Sequence, residues 1–539
     1  MKPVTHSTSK FITWLKARLA WHPVLFAIAP VISLIGHNLM EIHPSTGLRP
    51  LLLLVVLTMS AMLLMYRWLK DNQRSAMLIS LFLLLFFSYG HVYYGLVAES
   101  AHGLFSRIGL IGNHLALGLT WTLLYLAGVW VVMRATTRLS TVTQLMNVMA
   151  VVTVLIPLIQ IVRFELQRSQ PAWTAPQAQS EKTLASAGDK PDIYYLVLDG
   201  YGRADILQDL YAFDNSSFLR FLEQEGFTII HSARSNYVQT SLSIAASMNM
   251  EYIPALIGSD PDGGDARLAL SRFIRDNRVV SDLSQQGYQT VTFATGYRPT
   301  ELRGSDRFLS PAGVSINPLE GLLLETSAFT ALESLGRSLG LPAYYPGYAS
   351  HRELILFTLE RLPRVAALPG PKFVFVHVVI PHPPFVFTAS GAPAASNSRF
   401  SFMDGDAFQG TRQDYLEGYR QQLEFLNTQL TAVIPDIVQN TRRPSILILQ
   451  GDHGPGSQLD YQEMEATNLN ERTAILFAMR FPEGMEADPP DTLTPVNAFR
   501  YIYTHLDAQA SIPLLPDRSY YSTWNSPLNF QEITTTDLE

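Results

Sequence analysis

The tetrapeptide Gly451-Asp452-His453-Gly454 follows directly on the apolar run 444–450. A short apolar run that ends in a Gly-flanked carboxylate and imidazole reads as a buried strand delivering two metal-capable side chains to the carboxyl edge of a sheet. A second run, 193–198, ends the same way in Asp199-Gly200-Tyr201-Gly202-Arg203. Strands of this kind can gather Asp199, Asp452 and His453 around one cation, although about 250 positions separate them. Carboxylates neutralise a divalent ion, and one neutral imidazole favours zinc or manganese over calcium. The chemistry this implies is that of a metallohydrolase. An Asp-Gly pair after a strand is also an ordinary turn, so Asp199 alone decides nothing.

Thr240 opens the stretch Thr-Ser-Leu-Ser-Ile-Ala-Ala-Ser-Met, which is rich in small residues and helical in character. A Thr at such a start is a natural N-cap or first-turn residue at the positive end of the helix dipole. Beside a divalent metal its hydroxyl would be partly ionised and could attack phosphorus, with backbone N–H groups holding the phosphoryl oxygens. A plain helix cap is the competing reading.

Taken in order, strand-Asp199, Thr240 at a helix start and strand-Asp452-His453 resemble the alkaline phosphatase superfamily in its sulfatase-like branch. Within that branch the pattern is similar to membrane-anchored lipoteichoic acid synthases and lipid A phosphoethanolamine transferases. The resemblance spans about 191–525 and implies an alkaline-phosphatase-like α/β fold. It also implies Asp199, Asp452 and His453 as metal ligands and Thr240, with Ser243 three residues on, as the nucleophile motif.

A further apolar run, 372–380, exits into Pro381-His382-Pro383-Pro384-Phe385. The prolines fix that loop and present His382 at the same sheet edge. In the resembling enzymes a His of this loop contacts the transferred group, so His382 is expected to bind substrate or protonate the leaving group. His377 lies inside the strand and reads as a hydrogen-bonded core residue or a support behind the ligands. The Cys/Ser-x-Pro-x-Arg motif of true sulfatases has no counterpart near Thr240, and the chain has no cysteine. Sulfate-ester chemistry is disfavoured. His231, His351 and His505 lack a recognisable Asp-x-x-x-His pairing, so one divalent metal ion is expected.

Location follows from the first third of the chain. Apolar segments at about 23–40, 51–69, 76–98, 109–133 and 142–162 approach or exceed the roughly 20 residues needed to cross a bilayer. Five spans are expected. Lys2, Lys10, Lys16 and Arg18 in the tail, with Arg67, Lys70, Arg74, Arg134 and Arg138, mark the cytoplasmic side; the other short loops hold only Arg49 and Arg107. Everything after Val162 then falls outside the cytoplasm of a bacterial inner membrane, in the periplasm or beyond.

Residues 1–168 carry 13 of the 39 basic and only 4 of the 46 acidic side chains. An acidic globular portion is a poor nucleic-acid binder. The expected organisation is a transmembrane domain at 1–163, a Gln/Ala/Ser/Pro-rich linker at 164–190, and a hydrolase or transferase domain at 191–539. Its strand-like runs near 193–198, 227–232, 289–295, 373–379, 445–450 and 473–479 alternate with helical stretches. A mostly parallel sheet with helices on both faces follows. The segment 387–408, rich in Ala, Ser and Gly, reads as an exposed lid. The expected substrate is a membrane lipid or envelope glycan; the alternative is a non-catalytic lipid-binding or regulatory protein on the same fold. Transferase and hydrolase remain equally open, as does the oligomeric state.

Overall fold

Uninterrupted Leu, Val and Met runs with few charges form long helices whose surfaces stay apolar. The computed structural model describes residues 20–99, 104–135, 139–169, 190–257, 266–312, 316–338, 346–395, 400–506 and 512–538. Five helices come first: α1 (His22–His37), α2 (Leu48–Leu69), α3 (Asn72–Glu99), α4 (Leu104–Arg134) and α5 (Leu139–Arg168). Among the described residues four helical stretches, corresponding to α2 to α5, are long and apolar enough to cross a membrane. Leu52, Leu53, Leu64 and Trp68 of α2 and Leu115, Leu119 and Trp130 of α4 are exposed, which is stable against acyl chains and not against water.

The expected first span is the exception. α1 has 16 residues, about 24 Å of helix against a hydrocarbon core of about 30 Å. The five-span count is therefore not met; four helices satisfy it. The basic tail Lys2 to Arg18, Arg138 and the tether from 170 to 189 lie outside the described residues.

The remainder is built on a seven-stranded sheet ordered β2-β7-β6-β1-β5-β3-β4. Its strands are β1 (Asp192–Leu198), β2 (Phe227–Ile229), β3 (Gln289–Phe293), β4 (Arg307–Leu309), β5 (Lys372–Val378), β6 (Ser445–Gln450) and β7 (Phe477–Arg480). Only β7 runs against its neighbours, so the sheet is mixed and mostly parallel. β1, β5 and β6 are buried along their whole length, as continuous Val/Ile/Leu/Phe runs require when helices cover both faces. One face packs the helices Pro346–Val365 and Arg412–Asn440; the other packs α6 (Thr240–Asn249) and Pro495–Leu506. β4, only three residues long, has no signature in the sequence.

The chain divides into two units, and the division is not the single break at 163–191. Ser315–Gly347 belongs with the helical unit and interrupts the sheet unit. Within it α7 (Pro318–Glu325) seats Leu319 and Leu323 among Ala27, Val31, Ile35 and Ile42, while α8 (Phe329–Ser338) follows beside α3 and α4. The apolar run 319–324 thus buries itself against membrane helices and not against the sheet.

At the amino edge of the central strands Lys372 and Asp192 form a fully buried ion pair, and the Asp192 carboxylate also accepts from the Lys372 amide and the Thr441 hydroxyl. Removing one partner strands the other charge in the core. Lys372→Met should cost the sheet unit about 3–5 kcal/mol, read as a lowered unfolding midpoint; Lys372→Met with Asp192→Leu should recover a large part of it.

Candidate active site

Sheet order decides what meets at the opposite edge. β6, β1 and β5 are immediate neighbours, with Val197 in register with both Gln450 and His377. Their carboxyl ends therefore release Gly451-Asp452-His453, Asp199 and the His382 loop side by side. Asp199 and Asp452 are 3% and 0% exposed, yet Asp199 Oδ1 and Asp452 Oδ2 have no hydrogen-bond partner. The other Asp452 oxygen, Oδ1, accepts from the Gly200 amide at 3.0 Å.

His453 completes the set. Its Nδ1 lies 2.9 Å from the Gly454 carbonyl, a contact that needs a proton on Nδ1 and leaves the Nε2 lone pair facing the site. Nε2 is 3.6 Å from Asp199 Oδ1 and 3.4 Å from Asp452 Oδ2. Burial lowers the His453 pKa and the Arg472 charge lowers it further, so the ring is kept neutral. Two orphaned carboxylate oxygens converging with an imidazole lone pair fit one divalent cation of zinc or manganese type.

Thr240 is the first residue of α6, and its hydroxyl is 3.0 Å from His453 Nε2. The N-cap is Gln239, whose amide is instead engaged with Ser522. Thr240 is thus the first-turn residue and not the N-cap, and its Oγ1 stands at the helix N-terminus against His453 Nε2.

His382 arrives on its proline loop at the same place. Its backbone amide donates to the Asp199 carbonyl at 3.0 Å, and Gln422 Nε2 donates to its own carbonyl at 2.9 Å. Burial would lower its pKa, but Asp199 and Asp404 overcome this and raise it, favouring an imidazolium. One nitrogen of His382 forms with Asp199 and His453 a buried group whose ligand atoms all lie within 4.8 Å of one another, and His377 forms a second such group with Asp199 and Asp452, so both rings stand within reach of a cation held there.

Three further side chains join the site, of which the sequence marked His377 as a possible support and the other two not at all. His377 Nε2 lies 3.2 Å from Asp199 Oδ2, and its Nδ1 is hydrogen-bonded to Thr300 Oγ1 at 2.9 Å. The buried ring supports Asp199 from within β5. Burial would raise the Asp199 pKa, but His382, His377 and His453 hold it below the usual carboxylate range. Asp404 is the second. It comes from the segment read as an exposed lid, yet it is 0% exposed and sits 3.5 Å from His382 Nε2. The third, Arg472, is buried and reaches Asp404 Oδ2 at 2.7 Å, His453 Nε2 at 3.2 Å and the Val238 carbonyl at 2.9 Å. It spans the Thr240 and His453 sides of the site. His351 is buried behind the loop, bonded to the Val379 carbonyl, its pKa pushed down to about 4 by burial.

Residues 272–508 match the family model described as Sulfatase. This part of the chain is sulfatase-like. The matched segment of the sulfatase domain holds His382, Asp404, Asp452, His453 and Arg472; Asp199 and Thr240 precede it and reach the site through β1 and α6. No curated protein matches the sequence. Solved structures that resemble the fold include the periplasmic domain of EptC from Escherichia coli, at 10% identity and TM-score 0.43, covering 66% of this chain and 95% of that one. The integral membrane lipooligosaccharide phosphoethanolamine transferase A from Neisseria meningitidis covers 90% of this chain and 95% of its own, at 12% identity and TM-score 0.40. A phosphonate monoester hydrolase of Agrobacterium radiobacter shares 15% identity at TM-score 0.38, over 61% and 80% of the two chains.

Two predictions follow from the packing of the sulfatase domain around this site. A Cβ on Gly454 would lie 2.0 Å from the Glu471 carbonyl oxygen and 2.8 Å from that of Ala474, backbone atoms that cannot swing aside. Gly454→Ala should lower the thermal midpoint and displace His453. Arg472→Met should destabilise by about 3–5 kcal/mol by leaving Asp404 buried and unpaired. Adding Asp404→Asn should restore part of that loss, a coupling a double-mutant cycle measures.

Proposed function

We propose that the chain is a membrane-anchored, metal-dependent phosphoester transferase or hydrolase that works through a covalent phospho-Thr240 intermediate. The observation that carries the reading is the Thr240 hydroxyl, at a helix N-terminus, 3.0 Å from a His453 Nε2 that itself lies within 3.6 Å of two unpartnered carboxylate oxygens. Asp199, Asp452 and His453 would hold one zinc or manganese ion. When bound, that ion supplies a lowered hydroxyl pKa and neutralises charge on the phosphoryl oxygens.

The rest is done by the chain's own groups. Thr240 Oγ forms a bond to phosphorus as the bond to the leaving oxygen breaks, and the hydroxyl proton is released. The N-terminus of α6 and the Arg472 guanidinium stabilise the phosphoryl oxygens. His382, kept cationic by Asp404 and Asp199, gives its proton to the leaving oxygen. In the second half-reaction an acceptor hydroxyl, or water, attacks the phospho-Thr and returns Thr240. The acceptor is left as a lipid, a glycan or water, and the donor as an amphiphilic phosphoester, because the domain is tethered to membrane helices.

The location proposed is a bacterial inner membrane with the sulfatase domain on the periplasmic side. Arg67 in the last turn of α2, Lys70 in the connection and Arg74 in the first turn of α3 cluster at one end, and Arg134 ends α4. With these ends cytoplasmic, α5 exits on the opposite face by the positive-inside rule, whatever the role of α1. A phosphatase fused to the carboxyl terminus should be active in intact cells; a silent fusion with an active cytoplasmic reporter at the same point would reverse the orientation.

The chemistry has its own test. Thr240→Ala should stay folded, keep its metal and lose orders of magnitude in phosphodiester turnover, whereas Thr240→Ser should retain part of it. Intact-protein mass spectrometry should show a substrate-derived adduct on Thr240. Asp452→Asn should lose both metal and turnover, and His382→Ala should lose turnover while keeping metal. A Thr240→Ala enzyme as fast as the wild type would exclude the covalent route. A wild-type protein that never binds zinc or manganese stoichiometrically would favour a non-catalytic lipid-binding role.

A further inference from the structure

The excursion of the sulfatase chain into the helical unit is not explained by the chemistry. It is firmly seated there. Arg49 of α2 forms an ion pair with Glu320, Asn317 Nδ2 donates to the Thr46 carbonyl at 3.0 Å, and the Ala328 amide donates to the Phe86 carbonyl at 2.9 Å. Tyr94 and Thr330 share a hydroxyl hydrogen bond of 3.1 Å. A Cβ on Gly90 would lie 2.4 Å from the Thr326 carbonyl carbon, so α3 admits the excursion only because it is bare at that point.

These partners belong to the turn between α1 and α2, the first turn of α2 and the half of α3 that runs from Phe86 at its middle to its carboxyl end, with Leu117 and Trp121 from the middle of α4 nearby. Given the alternation of α2 to α5, this is also the face on which α5 exits. The excursion thus occupies the level at which the short α1 stops and a longer helix would continue.

Two large apolar side chains of α8 point away from the cluster beneath it. Phe329 and Leu332 are 45% and 62% exposed, and the Phe329 ring packs edge-on against Phe86, which in turn stacks on the exposed Phe82 of α3. The apolar face of α3 therefore runs on into α8 without a polar break at Phe82, Phe86, Phe329 and Leu332. We propose that α8 is a lipid-contacting foot of the sulfatase chain, with Phe329 and Leu332 immersed in the acyl region of the leaflet that α5 exits. The occupant is the bilayer itself, on the ground of that continuity with the faces of helices long enough to cross it.

The chain has no cysteine, so a single Leu332→Cys carries one nitroxide label. In the full-length protein reconstituted in phosphatidylethanolamine/phosphatidylglycerol liposomes, a label at 332 should be more accessible to oxygen than to a water-soluble nickel chelate, by severalfold. Phe329→Cys should give the same sign, and the exposed Glu424→Cys of the sheet unit should give the opposite. A label at 332 that favours the nickel chelate would place α8 in water. Protection from both reagents would mean that protein, such as a second copy of the chain, covers the helix. Either result overturns the proposal, and neither depends on the phosphoester chemistry.

Discussion

Two carboxylates buried side by side with unpartnered oxygens are the constraint to which the rest of the sulfatase site answers. Asp199 and Asp452 come from adjacent strands, and Asp404 adds a third buried acid. Against these the chain sets the Arg472 guanidinium and a His382 ring whose pKa Asp199 and Asp404 raise, while burial and Arg472 keep that of His453 low. With His382 protonated, one negative charge is left over. In a medium that stabilises charge poorly, such an excess is costly unless a cation enters. A divalent ion turns the excess to one positive charge, and the pocket then suits an incoming phosphoryl group. The residues that look like substrate contacts and those that look like ligands are thus parts of one electrostatic balance.

The same balance explains why Arg472 and Asp404 are linked. Arg472 alone would repel a metal from His453, its neighbour at 3.2 Å. Its pairing with Asp404 at 2.7 Å, with the Gly454 and Val238 carbonyls at 3.1 and 2.9 Å, offsets that charge and fixes the guanidinium in place. Asp404 in turn stands behind His382. A single buried acid therefore holds Arg472 and His382 together, and the Gly456 backbone makes room for it: a Cβ there would meet Asp404 Oδ2 at 2.5 Å.

Asp199, Asp452, His453 and His382 were legible in the sequence because each follows a continuous apolar run that can only be a central parallel strand. Thr240 was legible for a related reason, since small residues after a Thr mark a helix start. The remaining site residues carry no such local mark. Arg472 lies in Leu469–Thr473, a five-residue helix, and Asp404 in a segment whose Ala, Ser and Gly content reads as surface. Their burial depends on which distant elements converge. His377 was placed correctly inside a strand, but its face is set by register with Val197 and not by its neighbours. α1 is the span that stays unconfirmed among the described residues: hydropathy measures how apolar a segment is, while crossing a bilayer also needs length.

The excursion shows how far local pattern can be from tertiary fate. Passing from β4 to β5 in a parallel sheet requires a crossover, and the helix Pro346–Val365, with Ile355, Leu359 and Leu362 in the core, already supplies one. The segment 316–338 is therefore surplus to the sheet. Its Leu319 and Leu323 instead fill a cluster whose other members come from α1, α3 and α5. The connection that carries the chain to β5, and so to His377 and the His382 loop, is thus threaded through the helical unit before it returns. Besides the tether after α5, the sulfatase chain has this second attachment, placed between the strands that build the site.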